Sequence, residues 1–238
     1  MIPADNTIGT NPAHTRDKTN KEAFLNTIAA KLGRERRHEV QRPALQEVLP
    51  DSYGPLTEED LVEMLKEQCF FIHTQVIESV PELLQRTLDD LIAGNGGGQV
   101  MTSGDPRFAG YGLQFPDASV WEEAAGREAN IRHAEAANTA IVFADYALAE
   151  SGTVVVESRP DQGRALHFLP AHYIAVIEKK RLVLRSTQAA AALNRRVQDG
   201  GALGSSINFI SGPSNSADIE MKLVVGVHGP LRATYVLI

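Results

Sequence analysis

Three short stretches of this chain carry residue types that could do chemistry. In the first, Glu150 ends an apolar segment and abuts the turn Ser151-Gly152-Thr153. A carboxylate held beside apolar walls has its charged form disfavoured, which raises its pKa and suits it to act as a base or a nucleophile. The competing reading is structural: Glu150 accepts hydrogen bonds from the N–H groups of its own turn and only fixes the bend. The second stretch is Gly212-Pro213-Ser214-Asn215-Ser216, with Asp218 and Glu220 just beyond. It follows the apolar strand of Ile207, Phe209 and Ile210. Strand, glycine turn, helix start is the order in which α/β proteins present free N–H groups and a positive helix end to small anions. Ser214, Asn215 and Ser216 add hydroxyls and an amide. Their structural alternative is capping, with Ser216 as the cap and Asp218 and Glu220 favoured in the first helical turn. The third is His228, set between Gly226 and Gly229-Pro230, where the glycines let a ligand approach closely. Candidate ligand contacts are therefore Gly152, Thr153, Gly212, Ser214, Asn215, Ser216, Asp218, His228 and Gly229, with Glu150 the candidate catalytic group.

Other chemistries find no pattern to support them. No Ser-His-acid order, dinucleotide fingerprint or phosphate-loop sequence is present, so the chain does not read as a free-standing dehydrogenase. Gly94-Asn95-Gly96-Gly97-Gly98 resembles a phosphate loop, but helix precedes strand there, the reverse of what a phosphate cradle needs, and it reads as a flexible surface turn. His167 and His172 flank Phe168-Leu169-Pro170-Ala171 without metal-site spacing, and no metal is expected. Cys69 is the only cysteine and lies among apolar neighbours, which suggests a buried, inert thiol. One cysteine cannot hold a four-thiolate iron–sulfur cluster, so no cofactor is expected on this chain alone. The net charge of −7 is uneven. Residues 1–50 carry eight Lys/Arg against six Asp/Glu, +2, and residues 51–238 carry fifteen against twenty-four, −9, which argues against nucleic acid as a partner. No apolar run is long enough to insert in a membrane and no secretion-signal order opens the chain, so a cytoplasmic location is expected.

The elements that must position these groups alternate. Residues 1–18 are polar and aperiodic and read as a disordered tail. Residues 19–54 read as a helical arm and linker: Thr19 with Glu22 makes a capping box, and Phe24, Leu25, Ile28 and Leu32 share a face before Gly33 ends the helix. The basic run Arg34 to Pro43 is a solvated connector or a docking arm. From residue 55 onward the rhythm is α/β. Thr57 caps a helix, Phe70 to Ile77 reads as a strand, Pro81 opens a helix in its first turn, and Gly98 to Ser103 is a second strand. Trp121 reads as a packing anchor and the segment after it as partly helical. Thr139 to Glu150, Gly152 to Ser158 and Ala171 to Leu184 supply further strands, the last with a charged hairpin, and Ser186 to Gln198 a helix. The apolar end Ala233 to Ile238 would be hazardous on an open edge and is expected to be internal or covered. The fold class is α/β: a mostly parallel sheet with helices on both faces, antiparallel additions near the middle, and an N-terminal helical arm.

Four segments together also resemble a known family. They are Ala149 to Glu157 (AESGTVVVE), Leu166 to Ile177 (LHFLPAHYIAVI), Ile210 to Glu220 (ISGPSNSADIE) and Gly226 to Pro230 (GVHGP). In order and approximate spacing they are similar to the lactate-utilisation (LUD) family of the LutC/YkgG type, over about residues 55–238. The resemblance implies a fold of the NagB/RpiA/CoA-transferase-like group. It also implies a bacterial complex subunit or accessory protein for oxidation of L-lactate to pyruvate, beside partner proteins that carry the iron–sulfur clusters. CoA-transferases of that fold group use a glutamate as acyl acceptor, which by analogy points to Glu150. The family pattern often has Thr where Ser151 stands and Arg-Thr where Asn215-Ser216 stand, so this chain lacks one charge partner for an anion. The alternatives are an enzyme for a small acyl, phosphate or folate-like anion, or a ligand sensor built on the same pocket.

Overall fold

The computed structural model of the chain describes residues 12–36, 53–217 and 221–238. The chain divides into two compact units, residues 1–52 and 53–238. In the first, α1 (Pro12–Lys31) begins seven residues before Thr19, so Thr19 lies inside the helix and does not cap it. A proline in the first turn is pre-set for that start, and Gly33 at φ +60 ends the helix as expected. Arg36 folds back onto the Glu22 carboxylate. Most of the Arg34 to Pro43 connector lies outside the described residues.

The second unit opens with α2 (Glu58–Phe71). Thr57 accepts from the Asp60 N–H at 3.2 Å while the Asp60 carboxylate accepts from the Thr57 N–H at 2.9 Å, the reciprocal cap expected there. Val62, Leu65 and Cys69 form its buried face. The strand expected from Phe70 starts later: Phe70 and Phe71 finish α2, His73 turns the chain at φ +56, and β1 is Thr74–Glu78. A 3-10 turn at Pro81–Leu83 leads into α3 (Leu84–Gly94), followed by β2 (Val100–Ser103), the single turn α4 (Arg107–Gly110), β3 (Ser119–Trp121) and α5 (Arg127–Ala136). Then come β4 (Thr139–Phe143), β5 (Tyr146–Leu148), β6 (Thr153–Ser158), β7 (His172–Ile177), β8 (Leu182–Val183), α6 (Ser186–Gln198), β9 (Ser206–Ile210), β10 (Asn215–Ser216), β11 (Val224–Val225) and β12 (Arg232–Leu237).

Six strands make a wholly parallel sheet in the order β1-β12-β7-β4-β2-β3. β12 is internal, between β1 and β7, as its apolar sequence requires. On one face, Leu84 and Leu88 of α3 pack with Ile141, Phe143, Ile174, Val176 and Val236. The other face carries small side chains, Ala140, Ala175 and Ala233, beside two tyrosines, Tyr173 and Tyr235. Small residues let a second layer come close. That layer holds α2, α5 and a four-stranded sheet ordered β8-β5-β6-β9, whose β5-β6 and β6-β9 pairs are antiparallel. Helix α6 covers the far side of this smaller sheet through Ala189 against Leu148 and Val155. The architecture is thus mixed α/β, with a parallel central sheet flanked by helices on both faces.

The Gly94–Gly98 bend is tied down: the Asn138 amide donates to the carbonyls of Asn95 at 3.0 Å and Gly97 at 2.6 Å. Trp121 is buried, its indole lying where any side chain at Gly163 would have to go. Both observations favour structural roles for these residues.

Candidate functional site

In open parallel sheets ligands usually bind beyond the carboxyl ends of the strands. Here that edge is closed by charge pairs. Asp105 follows β2, Asp145 follows β4 and Glu178 follows β7, and two arginines hold all three. Arg107 makes a fork onto Asp105 at 2.7 and 3.0 Å and donates to the Ala144 carbonyl at 2.9 Å, with Glu178 at 3.6 Å. Arg159 bridges Asp145 at 3.0 Å and Asp105 at 3.2 Å. Asp105 is taken down from its ordinary pKa: burial pushes the other way, but the Arg107 hydrogen bonds and charge prevail. With every charge paired, this cluster is a clamp.

An open cavity lies at the opposite edge, where β7 and β12 begin. It is about 310 Å³ and is bounded by the Ser211 to Asn215 turn, by His228-Gly229-Pro230, and by His167 and Tyr173. Its walls follow from local chemistry. Gly212 has φ +75, and a Cβ there would strike the Ile72 carbonyl and approach Thr74 Oγ1 to 2.7 Å, so only glycine lets the turn sit on the end of α2. The buried Tyr235 hydroxyl donates to the Ile210 carbonyl at 3.0 Å and accepts from the Gly212 N–H at 3.2 Å. The Ser214 N–H donates to the Pro230 carbonyl at 2.9 Å, and the Gly226 N–H to the Ser214 carbonyl at 2.8 Å, which staples the two glycine turns together. Thr153 reaches the same turn: its hydroxyl lies 2.8 Å from Ser151 Oγ and 2.7 Å from Ser211 Oγ.

The structure therefore brings Gly212, Ser214, Asn215, His228 and Gly229 to one cavity, with Thr153 beside it through Ser211. Gly152 stands at φ +61, where a Cβ would meet Ile72 Cδ1 at 2.8 Å; it shapes the bend against α2. At the expected helix start, Asn215 and Ser216 form the strand β10, paired antiparallel with Val225 and Val224 of β11. The β-branched pair Val224-Val225 favours the extended hairpin. Asp218 and Glu220 lie outside the described residues. Glu150 does not line the cavity. Its carboxylate accepts from Arg185 at 2.9 Å and its side chain is 36% exposed, so in place of apolar walls it has an ion-pair partner.

Two residues that the sequence reading weighed only as metal ligands, or passed over, belong to the site. His167 is fully buried. Its Nδ1 lies 3.2 Å from the Tyr173 hydroxyl, and among the described residues its Nε2 has no hydrogen-bond partner. Burial, aided by the nearby Arg159 charge, pulls its pKa down to about 3, so the imidazole is neutral. Burial also raises the Tyr173 phenol well above its ordinary range. The signal for both was present in Leu166 to Tyr173, where three polar rings, His167, His172 and Tyr173, interrupt an apolar run. Among the described residues no group of three His, Cys, Asp or Glu is placed to hold a metal ion. Cys69 is buried and its thiol is pushed up to about 12, a poor nucleophile.

The match to known proteins falls on these segments. The LUD domain covers residues 58–238, which include every described wall of the cavity. The chain belongs to the LUD-domain family. Among its relatives, Lactate utilization protein C of Bacillus pumilus is 50% identical over 232 residues, spanning 92% of this chain and 97% of that protein. Its counterpart in Geobacillus sp. is 46% identical over 241 residues, spanning 96% and 98%. A solved structure of a DUF162-family protein from Deinococcus radiodurans superposes with a TM-score of 0.56 at 19% identity, over 77% of this chain and 99% of that one, and so shares the fold. No helix of the LUD chain, among its described residues, is long and apolar enough to cross a membrane.

Proposed function

We propose that this chain serves bacterial L-lactate utilisation as a subunit or accessory protein without a redox centre of its own, working beside iron–sulfur partner proteins. The observation that carries the proposal is similarity at 46–50% identity, over nearly the whole chain, to proteins named Lactate utilization protein C. The chemistry of the chain is compatible with the division of labour. A single, buried cysteine offers no cluster ligands, so the electrons of lactate oxidation would pass through partner chains.

The test is growth and L-lactate consumption by a deletion strain of the source bacterium, restored with the wild-type gene. Restored consumption, with iron–sulfur proteins retained on the tagged chain after gentle lysis, is the expected result. A deletion strain that consumes lactate at the wild-type rate, with no second lactate pathway active, would overturn it. The alternative of Glu150 as base or nucleophile is served by the same strain. With Arg185 at 2.9 Å from its carboxylate, Glu150 reads more readily as a strut between the Ala149–Ser151 turn and α6. Glu150→Gln is expected to restore consumption; failure at matched expression would return Glu150 to the chemistry.

A further inference from the structure

The 310 Å³ cavity does not end at His228. Across Phe168 and His228 it adjoins an open groove of about 680 Å³, into which Trp121, Arg127, Arg164 and Leu169 also face. Arg127 is the first residue of α5, whose N-terminus has no side-chain cap. Arg164 begins the 3-10 turn that ends at His167 and lies over the Phe168 ring at 5.5 Å. Both are exposed, and among the described residues neither has a carboxylate within ion-pair distance, although the surrounding body carries a net charge of −9. Two guanidiniums with no carboxylate partner among the described residues, one of them at the uncapped start of α5, favour a dianionic oxygen group.

The inner end has the opposite character. Among the described residues no Lys or Arg lines the inner cavity. His167, in the wall of that cavity, carries a buried Nε2 with no hydrogen-bond partner among the described residues, and its proton can be placed by counting. If Nδ1 donated to Tyr173, the buried phenol proton and Nε2 would both lack partners. If the phenol donates to Nδ1, only Nε2 is left over, now as an N–H donor. The second arrangement leaves one unsatisfied group instead of two. A neutral buried donor suits a neutral carbonyl oxygen; a carboxylate would be desolvated there without a cation.

We propose that this cleft binds a phosphate monoester of mononucleotide size, which offers a neutral carbonyl oxygen to His167 and its phosphate to Arg127 and Arg164. Lactate matches neither end: a three-carbon hydroxy acid would leave most of even the inner cavity empty, and its only carbonyl belongs to a charged carboxylate. The volumes fall in the range of sites for drug-sized ligands, about 300–1,000 Å³. The inference stands apart from the lactate reading, because the growth test above does not depend on what fills the cleft.

The experiment is calorimetric titration of the full chain with uridine monophosphate and flavin mononucleotide, each beside its phosphate-free form, uridine or riboflavin, and with inorganic phosphate and L-lactate. At least one mononucleotide is expected to bind with Kd below about 100 μM, and its phosphate-free form at least tenfold more weakly, about 1.4 kcal/mol. The double variant Arg127→Ala/Arg164→Ala, exposed positions that leave the core intact, is expected to bring the two forms level. His167→Phe is expected to weaken both forms alike. Should that variant fail to fold, the arginine arm still decides. The proposal is overturned if no mononucleotide binds below about 1 mM, if the arginine variant binds as wild type does, or if phosphate or lactate alone binds as tightly as the monoester.

Discussion

Replacing Tyr235 by Phe removes one oxygen and leaves the ring in place, so it isolates what the hydroxyl does. That hydroxyl is buried, donates to the Ile210 carbonyl at 3.0 Å and accepts from the Gly212 N–H at 3.2 Å. Without it, the buried N–H of Gly212 loses the one acceptor found for it among the described residues. An unsatisfied buried donor costs about 1–3 kcal/mol, and the lost bond to Ile210 about 0.5–1.5 kcal/mol more, so the variant is expected to be about 1.5–4.5 kcal/mol less stable. Urea unfolding measures this as a lower midpoint at unchanged slope, because the exposed surface barely changes. Hydrogen exchange supplies the local readout: the Gly212 amide is expected to lose protection while amides of β7 and β4 lose only the global amount. Tyr173→Phe is the companion, since among the described residues its hydroxyl bonds to His167 alone, and a loss near 1 kcal/mol is expected. A Tyr235→Phe loss under about 0.5 kcal/mol, or an unchanged Gly212 amide, would refute the idea that this phenol pins the turn to the sheet.

Three further outcomes are expected. Gly163→Ala drives a methyl group into the Trp121 indole, so a loss of about 3 kcal/mol or more is expected, with red-shifted emission from the chain's single tryptophan as the check. Arg107→Met strips the buried Asp105 of its fork and is expected to lower stability by about 3–5 kcal/mol, part of which Arg107→Met/Asp105→Asn should recover in chemical denaturation. His167 titrates near 6.5 when unfolded but near 3 when folded, so its contribution is fully present above pH 6.5 and is lost as the pH falls toward 3. Between pH 7 and 5 this loss is about 2 kcal/mol, and His167→Gln is expected to show a stability profile flatter by that amount in urea titrations at the two pH values.

Much of the body was legible because its signals are local. The Thr57 capping box, the Ser186 to Gln198 helix and the near-continuous apolar runs of β4, β6, β7 and β12 depend on neighbours in sequence, and they appear close to where the pattern puts them. The misplaced boundaries show what competes with pattern. Phe70 and Phe71 are strand-formers by type, yet they continue α2 because the chain turns only at His73, whose positive φ leaves no mark in composition. Asn215-Ser216 has the residue types of a helix start, but Val224 and Val225 draw it into a hairpin from nine residues away. At the site, the two glycine turns were legible because each glycine marks a close approach. Their union with His167 and Tyr173 was not, since it depends on β7 and β12 lying side by side. Nor could spacing reveal that Arg185, thirty-five residues on, would claim the Glu150 carboxylate.

The position of β12 bears on how the protein is made. β1 touches the main sheet only through β12, and Tyr235 of β12 is also the post to which the cavity's glycine turn is tied. Strand β1 leaves the ribosome about 150 residues before its partner, so α2 and β1 must wait while β2, β4 and β7 pair among themselves. Closing so long a loop is entropically slow. Until it happens, β1 and the β12-facing edge of β7 are open edges with exposed backbone groups, the kind that chaperones cover and that aggregate when left bare. The wall of the cavity and the completed sheet therefore both depend on β12, so a molecule in which that strand has not yet docked presents neither.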